Sequence, residues 1–237
     1  REKQGYVYPY TNQAATVVDA LCGYCSRGKV EIVTDCHVAA VIPRKGRQGY
    51  RLSTSLGEIQ CETLILATGG EASAELGGDS SGYELVRKLG HTVHTTHPGL
   101  TGLVCGGNWW KKVAGTRIQG RFSLRIDGEF ISGECGEIQI TKDGVSGIPV
   151  FQLCRRAASA ISMGKNVEGI IDFVPPMEAE ELKRWLDHFG VQGLVPGKWI
   201  PVLKDRQALN RILKEFTFTV RDTYGMERAQ VTAGGAA

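Results

Sequence analysis

Apolar residues recur with a helical period early in the chain, where Ala14, Val17, Val18, Leu21 and Cys25 share one face of a helix predicted over 11–25. Pro9 precedes it, Thr11 or Asn12 can cap it, and Gly28 is placed to end it in a left-handed conformation. The period then shortens to that of strands at 30–34, 37–42, 50–55 and 63–67, with turns at 46–49 and 56–58. A short helix between Ser81 and Leu89 is capped by Ser80 or Ser81 and stopped by Gly90. This first part of the chain reads as mixed α/β.

After Pro98 the texture changes. From Gly99 to Gly147 short apolar stretches alternate with single glycines, which predicts an antiparallel, barrel-like β unit. Within it, Ser123 to Ser132 is a hairpin whose Asp127-Gly128 pair can supply the positive φ angles of a type I′ turn. Helices are predicted over 148–163, 178–189 and 203–216, the second presenting Leu182, Trp185, Leu186 and Phe189 on its apolar face. Strands are predicted over 167–174, 216–220 and 229–232, the last running into Gly234-Gly235. The shift near Pro98 is the best domain boundary that the pattern offers.

Composition narrows the function classes. The chain has 237 residues and 31 glycines, nearly twice the roughly 7% share of ordinary globular proteins. A net charge of +3 with no block of like charge offers no footprint for nucleic acid or an anionic membrane, so neither is expected as a partner. No apolar run approaches the roughly 18 residues of a membrane span. Seven cysteines, an odd number scattered through apolar stretches, fit buried thiols in a reducing cytoplasm.

The most informative segment runs from Glu62 to Gly70. Its apolar run suits a strand buried on both faces of a parallel sheet, and it ends in Ala67-Thr68-Gly69-Gly70. Ligands of open α/β sheets sit beyond the carboxyl ends of the strands, so these glycines lie where a cofactor would; an ordinary strand followed by a glycine turn reads the same residues equally well. Cys22 and Cys25 have redox-motif spacing but fall toward the C-terminal end of a helix, where thiols are not activated, and read as packing residues. His91, His94 and His97 are spaced like a metal ladder, yet residues three apart on a strand face opposite sides. Glu134 and Glu137 fall in a glycine-rich stretch read as a loop, in surface or turn roles. Trp109-Trp110 reads as a core anchor, with a stacking platform as the alternative.

Beyond these local signals, the chain resembles the YhiN/BaiN-type flavoproteins, also described as aminoacetone-oxidase-like. The resemblance rests on Gly5-Tyr6-Val7-Tyr8-Pro9, Ala67-Thr68-Gly69-Gly70, Gly82-Tyr83, Gly90-His91, Gly133-Glu134, Gly136-Glu137, and above all on Gly144-Val145-Ser146-Gly147-Ile148-Pro149 and the run from Ala229 to Gly235. It implies an FAD-dependent oxidoreductase using NAD(P)H and a small organic substrate. The fold it implies is α/β plus β: an incomplete two-dinucleotide-type FAD/NAD(P)-binding domain, with 1–97 resembling part of it, 98–227 an inserted β-barrel-like and helical domain, and 228–237 the start of the return to the FAD-binding domain. By this resemblance Val38 contacts the adenine end through its backbone. Ala67, Thr68, Gly69 and Gly70 line the cofactor near its pyrophosphate and ribose, and Gly234-Gly235 begin the segment that closes over the flavin. No catalytic side chain and no metal ligand is assigned.

Three departures qualify the resemblance: no Gly-x-Gly-x-x-Gly is present, no Gly-Glu or Asp-Gly element follows Gly235, and Tyr6 stands where the family has Arg. The expectation is therefore a central fragment of the enzyme, inactive and without FAD by itself, whose insert roofs the site with the 133–147 stretch toward the substrate. The alternatives are a stand-alone β-rich binding module and a flavoprotein of fumarate-reductase or tRNA-modifying type.

Overall fold

The computed structural model describes residues 2–3, 6–203 and 209–237, in two compact units over 1–64 and 65–237. The first unit holds the two-stranded ribbon β1 (Glu2–Lys3) and β2 (Tyr6–Val7), the helix α1 (Ala14–Arg27), and an antiparallel meander of β3 (Val38–Pro43), β4 (Tyr50–Thr54) and β5 (Gly57–Cys61). Helix α1 forms where the periodicity places it, but none of its residues is buried, and Val17, Val18 and Leu21 stand exposed. Gln13, not Thr11 or Asn12, occupies its N-cap. The left-handed residue at its other end is Lys29 (φ 54°), since Gly28 has φ −76°.

Two predicted strands of this unit do not form. Over 30–34 the Val30 amide donates to the Cys25 carbonyl, and Lys29 and Asp35, both at positive φ, turn the chain at either end of the stretch. Over 63–67 no strand among the described residues offers a ladder partner, and Ile65 is 84% exposed. An apolar run alone does not fix a strand; the neighbour does. The strand paired to β4 is instead β5, which begins at Gly57 inside the predicted turn.

The second unit is built around a closed antiparallel barrel. Its strands are β7 (Leu103–Cys105), β8 (Arg117–Ile126), β9 (Glu129–Ile140), β10 (Gly144–Ser146), β11 (Val167–Asp172) and β12 (Phe216–Thr223), in the order β10-β7-β12-β11-β8-β9. The barrel predicted within 99–147 is therefore present, but it needs β11 and β12 from beyond that range to close. Asp127 (φ 50°) and Gly128 (φ 86°) make the predicted turn between β8 and β9. The 133–147 stretch is a correction: most of it is β9 and β10, with Gly133 paired to Ser123 and Gly136 to Gly120, so Glu134 and Glu137 stand on a strand.

Aromatic rings fill the interior. Phe122, Phe216, Trp110 and Trp199 are almost wholly buried, and the indole nitrogens of the last two donate to the Gly106 carbonyl and to Thr116 Oγ1. Gly169 supplies the room, because a Cβ there would lie 2.5 Å from the Phe218 ring. The short helix α3 (Trp110–Val113) carries Trp110, and Trp109 packs against the same core, so the pair anchors the barrel instead of forming an exposed platform.

Helix α4 (Ile148–Ser162) packs onto the barrel through Val150, Leu153, Cys154 and Ala157, the stripe its periodicity dictates. Helix α5 (Ala179–Phe189) buries Leu182, whereas Phe189 at its end is 64% exposed. The helix predicted over 203–216 appears as α6 (Ile200–Leu203) and α7 (Leu209–Lys214), with 204–208 outside the described residues. Lys214 Nζ pairs with Asp172 at 2.8 Å and donates to the Val174 and Met177 carbonyls, tying α7 to the end of β11. Beside the barrel lie α2 (Ser81–Lys88) and a two-stranded ribbon of β6 (Val93–Gly99) and β13 (Val231–Ala236). No helix among the described residues is long and apolar enough to cross a membrane.

Candidate functional site

The segment that follows Leu64 is strapped to β13 and the residues before it. The Ala72 amide donates to Thr232 Oγ1 (2.9 Å), and Ser73 donates through its amide to the Met226 carbonyl and through its hydroxyl to the Ala229 carbonyl. Thr96 on β6 donates to Glu71 Oε2 (2.7 Å). These bonds set residues 66–72 alongside the end of β13, joining glycine pairs that lie more than 160 positions apart in sequence.

Tyr83, in the first turn of α2, is the wedge between them. A Cβ on Gly70 would lie 2.7 Å from the Tyr83 hydroxyl and 2.6 Å from Thr232 Oγ1, and one on Gly235 would lie 3.2 Å from the Tyr83 ring. Gly82 is similarly required, since its missing side chain would occupy the place of Thr68. Gly234 (φ 89°) faces a bulge where Thr95 and Thr96 of β6 oppose one residue of β13, and a Cβ there would lie 2.3 Å from the Thr95 carbonyl oxygen. Gly69 differs: it has φ 73° and open space on its side-chain side. Ser80, one of the two serines the sequence offered, occupies the N-cap of α2 but makes no side-chain cap bond; Asp79 orders the helix start by accepting from the amide and hydroxyl of Ser81.

Between these elements lies a cleft of about 520 Å³. It brings together Ala67, Thr68, Gly69, Gly70, Gly234 and Gly235, six of the seven residues singled out in the sequence. No charged side chain lines it. Val38, the seventh, belongs to the first unit, where it opens β3 opposite Thr54.

The HI0933-like protein Rossmann domain family matches residues 1–236. The chain belongs to that family. It is 32% identical over 263 residues to the 3-dehydro-bile acid delta(4,6)-reductase of Clostridium scindens, an alignment covering 99% of this chain and 64% of the reductase. It is 24% identical over 253 residues to the ribosomal RNA dihydrouridine synthase of Escherichia coli, covering 94% of this chain and 60% of the synthase. The chain thus spans somewhat under two thirds of the length of these relatives. The kinship read from Gly144 to Pro149 and from Ala229 to Gly235 is shown, as is a Rossmann-type domain together with a barrel.

A Rossmann domain of the HI0933-like family implies a dinucleotide, and the cleft can be tested for that group. Tyr83 is only 9% exposed, yet its hydroxyl makes no hydrogen bond among the described residues. The ring is covered, while the hydroxyl is open to the cleft and free to bond to a ligand there; the buried side-chain atom left without a partner among the described residues is Thr101 Oγ1. The open side of Gly69 admits a ligand to backbone distance. With no lining charge, the cleft suits a ring or sugar of the dinucleotide, held by backbone groups, Thr68 and Tyr83. Tyr83 was visible in the sequence only as part of Gly82-Tyr83; the exposure of its hydroxyl to the cleft requires coordinates to see.

The remaining candidates fall elsewhere. No group of three His, Cys, Asp or Glu among the described residues could hold a metal. His94 and His97 face Gly235 and Ala233 across the β6–β13 ribbon. Cys22 and Cys25 sit in the second half of α1. Glu137 pairs with Arg117 across β8 and β9 at 3.0 Å. Burial pushes the Cys105 and Cys154 thiols up, leaving both protonated and unreactive at neutral pH.

Proposed function

We propose that this chain is the flavin-facing part of an FAD-dependent oxidoreductase, with NAD(P)H as reductant and a small organic molecule as acceptor. FAD, when bound, supplies the hydride chemistry between the two. The chain's own residues bind and position: Tyr83 donates a hydrogen bond into the cleft, Gly69 and Gly70 present their backbone, and the Gly234-Gly235 end of β13 forms the opposite wall. The unpartnered Tyr83 hydroxyl in a neutral cleft between two glycine pairs is the observation that carries this reading.

The names of the relatives support a reductive direction. One is a delta(4,6)-reductase and the other forms dihydrouridine, and each name describes hydrogen added across a carbon–carbon double bond. The acceptor proposed here is accordingly a conjugated carbon–carbon double bond. The domain plan proposed is a dinucleotide-binding part interrupted by the 98–227 insert. Because the cleft offers no cation for a diphosphate, FAD binding by this chain alone is proposed to be weak. Flavin fluorescence followed during titration with the purified chain tests this. A saturable change, weakened severalfold in Tyr83→Phe, supports the reading. A non-saturating response identical in both proteins contradicts it.

A further inference from the structure

A second cleft, of about 620 Å³, shares Gly234 with the first. Its walls are the turn between β8 and β9, the outer face of α4, and the ribbon at Thr95, His97 and Ala233. Ile126, Ile131, Ala160 and Met163 make part of its surface apolar.

The charges around this cleft do not balance. Lys165 pairs with Asp127 at 3.6 Å, and Asp127 also accepts from the Asn166 amide, so this cation and this carboxylate are committed. Arg155 and Arg156, adjacent on α4, make no ion pair or side-chain hydrogen bond among the described residues, and the one other carboxylate lining the cleft is Glu129, also outside any ion pair. His97 is the remaining titratable group facing the space. Two guanidiniums that line one cleft without acceptors, together with an apolar wall, favour a ligand that brings its own anionic group.

We propose that Arg155 and Arg156 form an anion subsite that holds the acidic group of a small molecule whose apolar body lies against Ile126, Ile131 and Met163. Because the two clefts share Gly234, that molecule is placed as a reaction partner of the flavin; this role rests on the flavin reading, whereas the binding does not. The anionic group is a carboxylate of an apolar acid or a phosphate of the nicotinamide dinucleotide, chemistries that a guanidinium pair accepts alike.

Calorimetric titrations of the chain with 1-naphthoate, neutral 1-naphthamide and 2′,5′-ADP test this, using wild type, R155Q/R156Q and K111Q/K112Q, the last removing two exposed cations elsewhere. The expected result is that wild type prefers naphthoate over naphthamide by about tenfold, the worth of a charge-assisted hydrogen bond. R155Q/R156Q abolishes the preference and K111Q/K112Q keeps it. Arginine-dependent affinity for 2′,5′-ADP, with naphthoate and naphthamide bound equally, supports the subsite and assigns it to phosphate. Equal losses in the two double variants, or no anion preference with either probe, overturn it. If wild type fails to bind FAD while the arginine-dependent preference persists, the flavin reading falls and the subsite stands.

Discussion

The Tyr83 hydroxyl lies where a side chain on Gly70 would begin, 2.7 Å from the position of the missing Cβ. The phenol is therefore held by the shape of its surroundings and not by a hydrogen bond, which separates its contribution to folding from its contribution to binding. Tyr83→Phe removes no bond within the protein and is expected to change stability by less than about 0.5 kcal/mol, while lowering FAD affinity about five- to tenfold. Tyr83→Ala empties a buried aromatic site and is expected to cost about 3–5 kcal/mol. Thermal denaturation alongside FAD titration distinguishes the two.

The glycines of the first cleft are expected to differ sharply on substitution. Gly69→Ala meets open space and carries only left-handed strain, about 1–2 kcal/mol. Gly234→Ala meets the same kind of strain and also the Thr95 carbonyl at 2.3 Å, and is expected to cost more than Gly69→Ala by a margin visible in urea denaturation. Equal midpoints for the two variants would contradict the close approach of β6 and β13.

The thiols are expected to divide by burial. Cys22 and Cys135 are exposed and alkylate in the native protein, whereas Cys105 and Cys154 react only on unfolding. Mass spectrometry after brief treatment with iodoacetamide reads the order.

Tyr224 donates to Asp143 Oδ1 at 2.9 Å and shares a short hydrogen bond with Thr141, and burial pushes its pKa up to about 12 from an ordinary value of 10. The folded state retains the proton longer than the unfolded chain, so the stabilisation is whole below pH 10 and lost as pH rises through 12. Melting temperature is expected to fall more steeply between these values in wild type than in Tyr224→Phe, by an amount tempered by the partial exposure of the ring.

Local chemistry made much of the fold legible. The Asp127-Gly128 turn and the apolar stripe of α4 are written within a few residues, and both form as their patterns dictate. Long-range partnership was not legible: β11 and β12 complete a barrel begun at Leu103, well before either of them, and the 63–67 run has no partner strand among the described residues. Glycine misled in a specific way. Gly133 and Gly136 suggested a loop, yet Gly133 sits on a strand where a Cβ would strike Ser123 Oγ and Arg121. At the site, Gly70 and Gly235 both line the cleft, and the structure adds that both also make room for Tyr83; of the glycines at 69–70 and 234–235, Gly69 faces open space.

The proposed flavin role places the dinucleotide in the cleft between Gly69-Gly70 and Gly234-Gly235. Amide chemical-shift mapping on the isotopically labelled chain during FAD titration tests it most directly, since it registers weak binding residue by residue. Saturable shifts concentrated at 66–70, 82–83 and 230–236 are expected. Shifts scattered over the barrel, or none at these residues while others saturate, would contradict it.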